Sequence, residues 1–278
     1  MHEPAGRRDF LKLSALALAG GLPATAQNFA VKPGRDPFRG LKFGLTTYST
    51  RRLTLDQTLD ALRSMGIGHL TLKDVHLSMT STAGERAAVR KKVEAAELKI
   101  LSCGVITWTE EGQIRPTLEY VRDVGAGAVV AVPAALLPAV NKLVKELDVR
   151  VGIHNHGPED KNFPSALAVF DAIQPLDTRI GCVVDIGHTF RKGLDPAAVI
   201  RKCAPRLYEV HLKDVPSPQS RAAVPLGSGV VDVVAVLRTL LDIKYGNQAA
   251  LEYEGEPENP IPGMAASYGF LRGALAAV

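Results

Sequence analysis

Four apolar runs in this sequence end in, or carry, a residue able to ligate a cation. VRVGIH (149–154) stops in His154, RIGCVVD (179–185) in Asp185 and LYEVH (207–211) in His211, while AALEYE (249–254) carries Glu252. Imidazole nitrogen and carboxylate oxygen suit borderline and hard divalent cations. No cysteine joins the set, so thiolate-preferring metals are disfavoured and one Mn²⁺, Co²⁺, Mg²⁺, Zn²⁺ or Fe²⁺ ion is the expected cofactor. A cation held there would polarise a bound carbonyl, and a neighbouring carboxylate would take the proton made acidic beside it. A lone histidine at a strand end is ordinarily a half-exposed polar residue. Here five of the seven, namely His76, His154, His156, His188 and His211, lie at or just past strand ends.

Those residues converge only if the strands share a rim. Short runs rich in β-branched residues occupy 42–47, 69–73, 99–104, 128–132, 149–154, 179–185, 207–211 and 249–254. Between them lie stretches of helical period, such as 55–66, 84–98, 116–125, 136–147 and 230–242. Eight such strand–helix units in about 240 residues predict a single-domain α/β fold, the (β/α)8 TIM barrel, whose chemistry sits at the C-terminal strand ends. An open doubly wound sheet would carry a glycine-rich loop after its first strand. The segment there, TTYSTRRLTLD, has no glycine. Side chains alternate along a strand, so Gly152, Val183, Glu209 and Ala250 also face inward, two residues below each ligand. Three of them leave room, and Glu209 has no evident role at this stage.

Composition sets the bounds. The 278 residues, 46% apolar and 22% charged, are enough for one large domain. The net charge of +4 comes without a Lys/Arg block or basic stripe, so a nucleic-acid partner is not expected. Residues 5–27 run from paired Arg7 and Arg8 through an apolar stretch to Ala24-Thr25-Ala26, and this order resembles a twin-arginine export signal. The expected organisation is an export signal over 1–26, a linker over 27–40 and the barrel over 41–278, with the mature protein in the periplasm or otherwise exported. No other stretch approaches the ~18 uninterrupted apolar residues of a membrane span, so no membrane association is expected after processing. Cys103, Cys182 and Cys203 lack the number and spacing of a disulfide framework.

VVDIGH (Asp185, His188), VHLKD (His211, Asp214), PLGSG before a helix and ALEYE (Glu252) carry a resemblance. From about residue 40 onward the chain resembles the xylose isomerase-like barrel superfamily, the sugar phosphate isomerase/epimerase group that also contains abasic-site endonucleases. The resemblance implies a divalent cation held by Asp185, His211 and Glu252, with His188 beside the substrate, a small sugar. Self-association as a homo-oligomer is left open. The group's fifth strand usually ends in Glu-Asn-His, whereas this chain reads His154-Asn155-His156. A ligand survives and a carboxylate is lost: His154 would bind the cation and His156 would orient or support it. Epimerisation with two symmetric carboxylate bases is therefore not implied.

The remaining roles follow from this chemistry. Glu252 is the expected base and Glu254 its alternative. Lys73 either steadies a developing oxyanion or pairs with Asp74. His76, His156, His188, Lys213 and Asp214 are expected to contact substrate, and Trp108 and Tyr48 to stack on a sugar ring. The expected activity is a sugar isomerase or epimerase working through an enediolate. One alternative is β-elimination from a 3-keto-glycoside. Another is abasic-site phosphodiester cleavage, which would need further ligands from strands two and three. A third is a binding subunit without turnover.

Overall fold

The structure is a computed structural model that describes residues 36–278; the leader expected at 1–26 lies outside the described residues. Eight parallel strands close into a barrel in sequence order. They are β1 (Lys42–Thr46), β2 (His69–Leu72), β3 (Lys99–Thr107), β4 (Gly127–Ala131), β5 (Val151–His154), β6 (Ile180–Asp185), β7 (Leu207–Leu212) and β8 (Gln248–Leu251). Around them run α1 (Leu55–Ser64), α2 (Ala83–Ala95), α3 (Ile114–Val124), α4 (Leu137–Leu147), α5 (Ala166–Ile173), α6 (Ile186–Arg191), α7 (Pro196–Cys203), α8 (Val233–Asp242) and α9 (Ile261–Ala277). The TIM-barrel expectation is met. No helix among the described residues is long and apolar enough to cross a membrane.

Local sequence accounts for many of the boundaries. Thr54 and Gln57 form a capping box at the start of α1, and Thr82 and Glu85 form another at α2. Each satisfies otherwise orphaned N–H groups. Gly125, at φ 82°, takes the left-handed turn that ends α3. The outward residues of the later strands, including Val151, Ile153, Val184, Val210, Leu212 and Leu251, are buried in the apolar layer between strands and helices. The opposite parity faces the barrel axis, and there the composition turns polar.

Two departures from the expected elements matter to the site. Strand β3 runs on to Thr107, and its pairing with β4 shifts register between Cys103 and Ile106. Gly104 sits in that irregularity at φ 152°, where an added Cβ would lie 2.2 Å from the Val129 carbonyl oxygen. Strand β8 stops at Leu251, so Glu252 and Glu254 stand on the loop that follows. Even so, the Glu252 N–H donates to the Leu212 carbonyl at 3.0 Å and carries the ladder one residue further.

Candidate active site

Register puts the four expected ligands on one rim. His154 pairs across from Val183, and Asp185 directly from His211. His211 in turn pairs with Ala250, two residues before Glu252. One nitrogen or oxygen from each of His154, Asp185, His211 and Glu252 lies within 4.8 Å of the others, and all four residues are buried. His154 Nε2 is 3.1 Å from His211 Nδ1, which is also 3.1 Å from Glu252 Oε2.

Asp185 divides its labour. Its Oδ1 accepts the His188 N–H at 2.8 Å and caps α6. Oδ2 is buried and meets no hydrogen-bond partner. A fully buried carboxylate oxygen left bare costs free energy unless something positive meets it. The inward nitrogens of two imidazoles and the oxygen of a second carboxylate around it make the donor set of a mixed N/O cation site, so the residues present fit the expected divalent metal.

The electrostatics of the metal-free chain agree with that crowding. Burial pushes Asp185 up to about 7, against the pull of Lys213. Burial alone would lower His211, but Glu252 and Glu209 on either side hold it up at about 10. His154, desolvated and beside His211 and His156, falls well below the ordinary histidine value and is neutral. Burial would raise Glu252, yet Lys213 and His211 draw it well below the usual carboxylate range. Lys213 is desolvated too, and the surrounding Glu252, Asp185 and Glu254 keep it firmly protonated. Its ammonium lies 2.6 Å from Glu254 Oε1 and 3.6 Å from Glu252 Oε2.

Above the ligands is a cavity of about 230 Å³, lined by Tyr48, Lys73, Val105, His154, His156, His188, Lys213, Glu252 and Glu254. It adjoins a second of about 560 Å³, with which it shares His156, His188, Lys213 and Glu254. His188 is brought down to about 3 by burial and by Lys213, so its ring is neutral. Its Nδ1 accepts from Arg191 Nη1 at 3.2 Å. A guanidinium only donates, so the His188 proton sits on Nε2, the nitrogen on the Asp185 side, 4.0 Å from Oδ2. No sequence motif marks Arg191, although it follows His188 by about one helical turn.

Asp214, Trp108 and His76 are placed differently from the expectation, whereas Lys73 and His156 line the cavity. Asp214 is 1% exposed and its carboxylate accepts the backbone N–H groups of Val215, Gly227, Gly229 and Val231. It organises the PLGSG loop and has no oxygen free for a substrate hydroxyl. Trp108 is 1% exposed, with its indole N–H donated to Thr117 Oγ1 at 3.0 Å, which makes it cavity wall and not a stacking platform. His76 holds Nε2 against the Leu53 carbonyl at 3.1 Å and lines neither cavity. The Lys73 ammonium donates to the Val105 carbonyl at 2.8 Å and pairs with Asp74 at 2.9 Å. His156 stands on the rim, its ring centre 4.7 Å from that of His154 and its Nδ1 3.4 Å from Asp160 Oδ2.

Glu209 finds its partners across the barrel. It accepts hydrogen bonds from Thr71, from Ser102 Oγ at 2.6 Å, from Gln248 Nε2 at 3.1 Å and from His211 Nε2 at 3.2 Å.

Solved structures share this architecture at low identity. An L-ribulose 3-epimerase superposes with a TM-score of 0.70 at 16% identity, covering 85% of this chain and 95% of that one. A 3-keto-D-glucoside 4-epimerase from E. coli gives 0.67 at 15%, covering 84% and 99%. A probable 3-DHS dehydratase of petrobactin synthesis from Bacillus anthracis gives 0.69 at 14%, covering 83% and 98%. No curated protein matches the sequence. At such identities the likeness establishes the fold alone, but residues 36–274 match a sequence family in their own right, and the chain belongs to the xylose isomerase-like TIM barrel family.

Proposed function

We propose that the protein is a divalent-metal-dependent sugar isomerase or epimerase that removes a proton from the carbon beside the carbonyl of a keto-sugar. The observation that carries this reading is the convergence of His154, Asp185, His211 and Glu252 on one point beneath an open cavity. When bound there, a divalent cation supplies Lewis-acid polarisation of the substrate carbonyl. Glu252, ionised and facing the cavity, takes the proton. Lys213, protonated and within reach of the same volume, offsets the negative charge that develops on the enediolate oxygen. His188, neutral and protonated on Nε2, donates a hydrogen bond to a substrate hydroxyl or carbonyl. Tyr48 and Lys73 line the cavity on the side of the early strands.

A second reading uses the same first half-reaction. With His154 where the fifth strand of relatives usually ends in glutamate, one face of the substrate lacks a carboxylate base. The adjoining 560 Å³ cavity has room for a second ring or an aglycone. β-Elimination from a 3-keto-glycoside fits both features, with the Lys213 ammonium placed to protonate the leaving oxygen. The epimerase named for a 3-keto-glucoside and the probable dehydratase among the structural relatives support considering it. Abasic-site cleavage has less support, since the β2 and β3 ends contribute Lys73 and Thr107 instead of further His or Glu ligands. Export through the expected leader would direct the enzyme to extracytoplasmic sugars without phosphate.

Solvent-deuterium uptake into a panel of ketoses and 3-keto-glycosides by the Mn²⁺-loaded protein tests the proposal. Exchange should occur with at least one, and Glu252→Gln should suppress it by about 10²- to 10⁴-fold, the range of a lost general base. Exchange that persists in Glu252→Gln contradicts the base assignment.

A further inference from the structure

We propose that Glu209 is a positioning residue: through the His211 Nε2–H it fixes the ring so that Nδ1 faces the point where His154, Asp185 and Glu252 converge. This rests on the metal reading above and concerns what makes the site selective for one arrangement of its ligands.

A carboxylate 4% exposed on the axis of a barrel is costly unless fully paired. Glu209 is paired on both oxygens. Oε1 takes Thr71, Gln248 Nε2 and His211 Nε2, and Oε2 takes Ser102 Oγ. The donors come from β2, β3, β7 and β8, so the carboxylate is clamped by four strands. Gln248 reaches it because β1 offers Gly44, where a Cβ would stand 2.6 Å from Gln248 Oε1. Being only an acceptor, the clamped carboxylate requires the proton on His211 Nε2, so Nδ1, which faces Glu252 Oε2 at 3.1 Å, is the nitrogen that gives up its proton to a cation. A carboxylate behind a ligating imidazole also raises its basicity. His154 makes the contrast. Its Nδ1 is buried with no partner, and its ring rests against His156 and His211 at 4.7 and 4.8 Å between centres. The site thus has one imidazole anchored from behind by a carboxylate and one whose rear nitrogen has no hydrogen-bond partner.

Titration with Co²⁺, read by visible absorbance and by competition with a chelator, tests this. The parent should bind one equivalent. Glu209→Gln keeps the shape and loses the charge, and should weaken Co²⁺ binding by about 10- to 100-fold while altering the absorption envelope. Ser102→Ala and Thr71→Val, which loosen the clamp without touching His211, should move affinity in the same direction by less. Unchanged affinity in Glu209→Gln, even with a lowered melting temperature, assigns Glu209 to barrel stability only and overturns the proposal. Should Glu209→Gln fail to fold, the other two variants decide, and parental affinity in both overturns it. A parent that takes up no Co²⁺ refutes the metal reading itself, an outcome distinct from binding that ignores Glu209.

Discussion

The two halves of the barrel rim are built on opposite terms. At the ends of β1–β4 most polar groups satisfy one another: Thr47 Oγ1 accepts the Lys73 N–H at 2.9 Å, and the Lys73 ammonium is taken up by the Val105 carbonyl and Asp74. At β5 and β6 they do not. Among the described residues, seven buried side-chain atoms lack a hydrogen-bond partner; five of them, His154 Nδ1, Asn155 Nδ2, Asp185 Oδ2, Thr189 Oγ1 and Arg191 Nε, fall between β5 and the end of α6, and the other two are His76 Nδ1, beyond β2, and Gln248 Oε1, in β8. Since such atoms are expensive to leave bare, their clustering on one side marks where a ligand completes the protein. On the proposed function, the early strands furnish a wall and the late strands the chemistry.

Substitutions on each side can break that contrast. The largest expected effect is the suppression of exchange by Glu252→Gln described above, on the chemical side. Next is Asp214→Ala. It strands the backbone N–H groups of Val215, Gly227, Gly229 and Val231 and should cost about 3 kcal/mol in urea unfolding, the scale of losing hydrogen bonds to a charged acceptor. Unchanged stability with a raised KM would instead return Asp214 to the substrate.

The pH dependence follows in size. In the metal-free chain the folded His211 pKa, about 10, lies above the ordinary 6.5. The stability it contributes is fully present below pH 6.5 and is lost as pH rises through 10. A cation at Nδ1 must displace a proton. Affinity should therefore rise with pH by up to about tenfold per unit, and calorimetry in buffers of different ionisation enthalpy should register proton release. The smallest effect belongs to the wall: Lys73→Met should change exchange by less than about tenfold, because its ammonium already serves Asp74 and Val105. A loss as large as that of Glu252→Gln would erase the distinction between the halves.

What the sequence revealed of the site was what strand periodicity encodes. Apolar runs ending in His154, Asp185 and His211 signalled a rim, because alternation along a strand fixes which face a terminal residue takes. Glu252 was visible from the same pattern although β8 stops one residue before it. Arg191 was legible in principle, three residues beyond His188 on one helix face. Glu209 was seen to point inward but gained meaning only from Thr71, Ser102 and Gln248, which three other strands bring together and no local spacing links. Asp214 misled for a related reason: VHLKD places it beside His211, but its partners come from residues 215–231 of a loop whose path the sequence does not specify. Helix α5 carried little signal because it is apolar on nearly every side, and amphipathic contrast is what marks a helix from sequence.

The central claim is that one cation is shared by the tips of four neighbouring strands, with imidazole from β5 in place of a carboxylate. X-ray absorption fine structure of the Mn²⁺-loaded protein addresses it directly. A single mixed N/O shell with outer-shell scattering from both imidazoles, His154 and His211, at one equivalent of metal per chain is the predicted result. Scattering from one imidazole or none, or metal bound well below one equivalent, would contradict it.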